Sequence, residues 1–237
     1  MNVGELKLLF KAELPANPAT DTEILLWFNN ACLDMVRQTH CLRSSGTTST
    51  VASQQEYSLP TDCMLIDPTG GICWKNSSGN WKRLEATSMS WLDQNVSDWR
   101  NASANDPKGY YKKGQIIGLY PKPNSDGTDD IKIYYIDKPN TLSGNTDTPL
   151  EKDDSLENYH STIVEYAKWK CKEKIGKYSQ GREHRKMYLG STDEDSDYYG
   201  GVACLKRDAE FHPDNTQVIR PYNKVRVSNA LTKSSLA

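Results

Sequence analysis

Residues 106–142 read DPKGYYKKGQIIGLYPKPNSDGTDDIKIYYIDKPNTL. Within them QIIGLY (115–120) and DIKIYYI (130–136) are rich in β-branched and aromatic side chains, which suit a pleated, half-buried strand. PKPNSDG (121–127) separates the two with prolines and an Asp-Gly step, the chemistry of a turn. The pattern predicts two strands joined by a polar turn, a hairpin. No set of side chains in it is arranged to do chemistry.

Helical periodicity lies on both sides of this stretch. In residues 21–37, Ile24, Trp27, Phe28, Ala31, Cys32 and Met35 recur at i, i+3, i+4, i+7, i+8 and i+11, the stripe of an amphipathic helix. Asp21 and Glu23 suit its capped start. Asn29 and Asn30 fall between the apolar turns, facing solvent or bonding a neighbouring loop. Residues 5–10 form a shorter helix that ends before the Pro15–Pro18 break. From Asn158 the helical period returns, with Tyr159, Ile163, Tyr166, Ala167, Cys171, Ile175 and Tyr178 on one stripe and lysines on much of the rest. Further helical stretches at 181–189 and 198–211 flank a break rich in Gly, Ser and Asp.

Between these ends the period changes. Residues 44–50 read as a Ser/Thr/Gly loop. Short strands follow at 55–59, 64–67, 71–74 and 81–84, and 88–100 holds a short helix with Trp91, Val96 and Trp99. The plan is α+β: N-terminal helices over 1–44, a β-rich insertion over 45–148, C-terminal helices over 149–211 and an extended arm over 212–237. In that polar arm Val218-Ile219-Arg220-Pro221 is the one apolar anchor, and the last ten residues are expected to order only on a partner.

A chain of 237 residues can bury a sizeable core. With 29 Lys+Arg against 31 Asp+Glu, bulk charge implies no polyanion-binding face. No apolar run approaches the ~20 residues of a membrane span, so no membrane partner is expected, and the N-terminal residues do not read as a signal peptide. The six scattered cysteines, without a C-x-x-C pair, are expected to be reduced thiols. The four histidines stand apart from any metal-ligand spacing, no G-x-S-x-G or phosphate-binding glycine loop occurs, and the acidic runs read as solvated loops. The expectation is therefore a protein that is not an enzyme, with no catalytic residue, metal or cofactor.

Aromatic composition points elsewhere. Thirteen tyrosines and six tryptophans against three phenylalanines suit half-buried positions and protein–protein interfaces. Tyr110-Tyr111, Tyr120 and Tyr134-Tyr135 are the candidate interface residues. The alternative, a carbohydrate-binding module using this Trp/Tyr surface, predicts strands throughout.

Several stretches together resemble the head–tail connector (adaptor, or head-completion) proteins of tailed bacteriophages. Glu5-Leu6 and the helix from Asp21 through Ile24 to Ala31 resemble the family's opening helix. Tyr57-x-Leu59-Pro60 with Met64 to Asp67 resembles its first β segment. Trp99, Pro107-x-Gly109-Tyr110-Tyr111 and Ile117 to Tyr120 with Pro121-x-Pro123 resemble its central hairpin. Tyr134-Tyr135-x-x-Lys138-Pro139-x-x-Leu142 resembles the closing strand, Tyr159-His160 through Tyr166-Ala167 the return helix, and Val202 to Lys206 with Ile219-Arg220-Pro221 the last helix and tail.

The resemblance implies a helical bundle from both chain ends with a β insertion, assembled as a ring of about twelve subunits matching a portal. It implies docking of the C-terminal arm on the portal protein through Val218, Ile219, Arg220, Pro221 and Tyr222. It also implies contact with a tail or nozzle protein, and genomic DNA passing through the channel without sequence-specific binding. Such a protein is assembled in the host cytoplasm and resides in the neck of the virion. A tail-tube or nozzle component is the related alternative.

Overall fold

The structure is a computed structural model that describes residues 1–151 and 154–211. Among them are six α-helices and nine strands in two sheets, a mixed α+β architecture. The N-terminal helices are α1 (Val3–Glu13) and α2 (Asp21–Thr39). Each starts with a capping box: Asn2 with Glu5, and Thr20 with Glu23. The cap of α2 is thus Thr20, one residue before the expected Asp21, because the hydroxyl at Thr20 reaches the Glu23 N–H. Asp21 instead pairs with Lys11 at 2.7 Å and ties α2 to α1.

The strands follow as β1 (Arg43–Thr48), β2 (Glu56–Ser58), β3 (Cys63–Ile66), β4 (Ile72–Lys75), β5 (Trp81–Arg83) and β6 (Glu85–Ala86). After the short helix α3 (Met89–Asn95) come β7 (Gly109–Lys113), β8 (Ile116–Tyr120) and β9 (Ile131–Asp137). Residues 116–120 and 131–137 do not form the expected hairpin. β8 belongs to the sheet β2-β8-β7-β6, and β9 is the central strand of the other sheet.

The local reason is visible in the pairing. β7 and β8 are joined by the two-residue turn Gly114-Gln115, with Lys113 opposite Ile116 and Gly114 at φ 61°. Such a tight turn captures one edge of β8, and β2 takes the other. The segment 121–130 has two prolines without N–H donors and is long enough to cross from one sheet to the other.

β9 carries the second sheet. β1 lies along one edge, Arg43 opposite Ile136 and Thr48 opposite Ile131. β4 and β3 share the other edge end to end, against residues 131–133 and 135–137. The segment expected to be a Ser/Thr/Gly loop at 44–50 is therefore largely a strand. Its backbone groups are claimed by β9, and that tertiary pairing overrides a side-chain composition weak in strand formers. Asp130 pins the junction, accepting the Thr50 N–H at 2.8 Å and the Thr50 hydroxyl.

The sheets face each other across one apolar core of Tyr57, Leu59, Ile72, Trp74, Leu84, Ile117, Leu119, Ile131, Ile133 and Tyr135. On the far side of β8, Gly118 lies under the Tyr111 ring, so close that a Cβ there would come within 2.0 Å of it. Tyr111 packs edge-on to Trp99 (5.4 Å between centroids), and with Leu92 of α3 they form a small second cluster.

A third core gathers the helices. α4 (His160–Lys174) follows a 3₁₀ turn (Asp154–Tyr159), reverses at Gly176 into α5 (Tyr178–Leu189), and a loop leads to α6 (Gly201–Phe211). Val3, Leu6 and Phe10 of α1 pack with Ile24, Phe28 and Met35 of α2, with Ile163, Ala167 and Cys171 of α4, Tyr188 of α5, and Val202 and Leu205 of α6. The expected stripe of α4 ends at Cys171. Ile175, the C-cap of α4 just before the Gly176 reversal, and Tyr178, just after it, are exposed. The break at 190–200 separates α5 from α6, so two shorter helices follow α4.

Ile136 and Leu42 from the β region also enter this helical core. Asn29 of α2 clamps the exit of β9: its Nδ2 donates to the Leu142 carbonyl (3.0 Å) and its Oδ1 accepts from the Leu142 N–H (2.8 Å). Of the two expectations for Asn29, the bond to a neighbouring loop is the one realised. All six cysteines are free thiols, and burial pushes that of Cys32 up to about 12. No helix among the described residues is long and apolar enough to cross a membrane.

Candidate assembly surfaces

Among the described residues no group of three or more His, Cys, Asp or Glu side chains is placed to hold a metal ion. Two of the isolated histidines, His160 and His184, have structural surroundings. His160 is buried, its Nε2 2.8 Å from the Pro149 carbonyl and its Nδ1 3.1 Å from the Met1 amine. A carbonyl can only accept, so Nε2 carries the ring proton and donates to it, while Nδ1 accepts a hydrogen bond from the Met1 ammonium. Burial, and then the neighbouring ammonium, hold His160 below the usual imidazole value. His184 meets Glu165 at 2.9 Å, and the same carboxylate meets the buried Lys168 at 2.5 Å, which also contacts Glu13. This network joins α1, α4 and α5.

The five tyrosines expected at an interface are placed in two ways. Tyr111 and Tyr135 are buried inside the subunit. Burial, then the Glu56 carboxylate that Tyr111 donates to at 3.3 Å, push its phenol up to about 12. Tyr135 is likewise raised by burial. Neither ring offers surface to a partner, because each is consumed in a core the strand pattern could not reveal. Tyr110, Tyr120 and Tyr134 are half-buried. Tyr120 stands edge-on to Trp99 at 6.4 Å, and Lys132 lies 4.9 Å over the Tyr134 ring. The expected docking residues Val218, Ile219, Arg220, Pro221 and Tyr222 lie outside the described residues.

Two charged surfaces that the sequence reading did not propose as interfaces stand at the two ends of α5, the second of them a run that it read as a solvated loop. One is the corner where α4 turns into α5. Residues 168–186 contain eight Lys/Arg against two Glu, a net charge of +6 in a chain of net charge −2. Gly176 turns the corner at φ 73°, and the backbone closes through Lys177 N–H to Lys172 carbonyl at 2.9 Å. Ile175 and Tyr178 are 38% and 64% exposed there. Lys174 is engaged by Glu23 at 2.5 Å, which draws the Glu23 carboxyl down to about 2. Arg185 and Lys170 lie over the Trp169 ring. Lys177 and Arg182 are exposed and have no ion-pair partner among the described residues.

The other is the loop 191–200, with four acidic residues and no basic one. Asp193, Glu194, Asp195 and Asp197 are exposed. The loop is shut at its neck, where Gly200 donates to the Ser191 carbonyl at 3.0 Å and a Cβ on Gly190 would come within 1.9 Å of the Gly200 carbonyl oxygen. Tyr198 hydroxyl donates to Glu183 at 2.8 Å and fastens the loop to α5, and Asp193 accepts the Asp195 N–H at 3.1 Å. Met187 and Leu189, exposed at the end of α5, adjoin it. The signal for both was present as charge blocks of opposite sign, but only the fold places them at opposite ends of one helix.

A family model described as SU10 adaptor protein matches residues 1–203. No curated protein matches the chain. The matched region takes in α1 to α5 and both sheets and ends in the first turn of α6.

Proposed function

We propose that this chain, a member of the SU10 adaptor protein family, is the head-to-tail adaptor in the neck of a bacteriophage virion. Family membership over residues 1–203 is the observation that carries the reading, and it implies a structural virion component. In this reading the α-helices from both chain ends act as one bundle that carries the β sandwich. Subunits stand in a ring of about twelve on the portal, receive the tail or nozzle protein, and line part of the channel through which DNA leaves.

The residues after α6 dock on the portal. What supports this is their composition: a polar stretch with Val218, Ile219, Arg220, Pro221 and Tyr222 as its apolar and cationic anchors, suited to ordering on a partner surface. The starting point of that arm is firm. Tyr159 donates to Asp208 at 2.5 Å, and Val202 and Leu205 hold α6 in the helical core. Helices at both ends of the described chain also argue against a carbohydrate-binding module made of strands throughout.

Phage made without this protein should accumulate DNA-filled heads lacking tails, and the protein supplied in trans should restore joining. Val218→Asp/Ile219→Asp should give a folded subunit that fails to complement. Particles that join heads to tails normally without the protein would overturn the neck assignment. Normal joining by the double variant would overturn the docking role of the arm alone.

A further inference from the structure

We propose that neighbouring copies of this chain contact one another head to tail, the basic α4–α5 corner of one copy seating against the acidic 191–200 loop of the next. The inference deepens the ring reading above and rests on it. Its physical basis is a charge separation that one subunit cannot neutralise by itself.

The corner and the loop flank α5, whose 12 residues span about 18 Å. That is more than twice the roughly 8 Å screening length of physiological salt. Lys177, just before the start of α5, therefore gains little from Asp193, Glu194 and Asp197 of its own chain. Arg182, further along α5, stands about 12 Å before the neck of the loop, still beyond one screening length. A second copy placed in the same orientation brings the opposite charges together, and each added copy repeats the match. Contacts of this heterologous kind close into rings when the rotation between subunits is right.

Both surfaces have the make-up of an interface patch as well as matching charge. The corner presents Ile175 and Tyr178 among its cations, and Met187 and Leu189 adjoin the anionic loop. An apolar centre with a charged rim is the usual anatomy of a protein contact. Both are also held in place before contact. Gly176 and the Lys177–Lys172 backbone bond set the corner, and the closed neck with the Tyr198–Glu183 bond sets the loop. Prior ordering lowers the entropic cost of association. The charges would steer approach and set direction more than they would supply affinity.

The test uses two charge-swapped full-length chains. Lys177→Glu/Arg182→Glu reverses two exposed charges of the corner and takes it from +6 to +2, at side chains that no ion pair among the described residues employs. Glu194→Lys/Asp197→Lys takes the loop from a charge of −4 to 0 and leaves Asp193, whose carboxylate holds the loop backbone, in place. Circular dichroism and thermal melting establish that both fold. Self-association is then followed by analytical ultracentrifugation at low and high salt. Wild type should associate in a salt-sensitive way, and each variant alone should associate about a hundredfold more weakly, since the charge attraction between corner and loop is removed or much reduced.

An equimolar mixture of the two variants should recover association, because each now offers what the other lacks. Recovery in the mixture requires a corner-to-loop contact and cannot arise from a folding defect. Unchanged association in both single variants, or no recovery on mixing, overturns the contact while leaving the ring to be built by other surfaces. A wild type that stays monomeric at low salt at every concentration also overturns it, and the neck assignment is decided separately by the tail-joining assay. If the corner variant instead loses retention on short duplex DNA with self-association intact, the corner is a phosphate-binding surface and the proposal fails.

Discussion

Asn29→Ala removes the clamp between helix α2 and the segment leaving the central strand β9, and its cost can be worked from the contacts. The side chain satisfies two backbone groups of Leu142, a residue only 3% exposed. Orphaning a buried backbone group costs about 1–3 kcal/mol. Asn29 itself is half-buried, so water can partly replace the amide, and the lower part of that range applies. Two groups then cost about 2–3 kcal/mol, and the better helix propensity of alanine offsets about 0.5 kcal/mol. The net loss is about 2 kcal/mol. For a chain of this size it should lower Tm by roughly 4–8 °C. In urea the midpoint should fall with an unchanged slope, since the surface exposed on unfolding stays the same. Asn30→Ala is the internal control, because Asn30 is exposed one residue away and should stay within about 0.5 kcal/mol of wild type. If the two substitutions gave equal midpoints, the Leu142 clamp would contribute nothing and the account of how helices and β region are joined would be refuted.

Three further outcomes are expected. Gly118→Ala should displace the Tyr111 ring, which leaves no room for a Cβ, and cost about 3 kcal/mol; a melt and tryptophan emission unchanged from wild type would contradict that packing. Asp130→Ala should cost about 2 kcal/mol or more by stranding the buried N–H and hydroxyl of Thr50, with Asp130→Asn recovering part of the loss; equal stabilities for the two variants would show that the carboxylate does not pin β1 to β9. The third concerns pH. The folded protein holds His160 below its ordinary value, so as pH falls past about 6.5 the unfolded chain takes up the proton first. Stability from this group is present above that pH and is lost below it until the folded value is passed. His160→Gln, which can still donate to the Pro149 carbonyl, should flatten this part of the pH–stability curve; identical slopes for variant and wild type would rule the residue out.

Local patterning was enough to place most helices and short strands. The stripe from Ile24 to Met35 marks its helix because a 3.6-residue period needs only neighbours in the chain. Proline and glycine bounded the strands at 55–59 and 71–74 for the same reason. Strand partners were another matter. QIIGLY and DIKIYYI looked like neighbours, yet the Gly114 turn had already given β8 to β7, and a short turn competes better than a ten-residue segment with two prolines.

What the amino-acid sequence determined by itself was the α+β plan, the position of the β region between two sets of helices, and a resemblance that the match over residues 1–203 shows to be real. Tertiary structure alone decided that RSSGTT is a strand, since its backbone pairs with β9 and its side chains carry no strong preference. It also decided that Tyr111 and Tyr135 are spent in the interior, while Tyr178, on a stripe that looked buried, stands in solvent beyond the Gly176 reversal. Periodicity reports which way a side chain points relative to its own backbone. What it points into is set by whichever distant segment packs there, and that information is held by the fold as a whole.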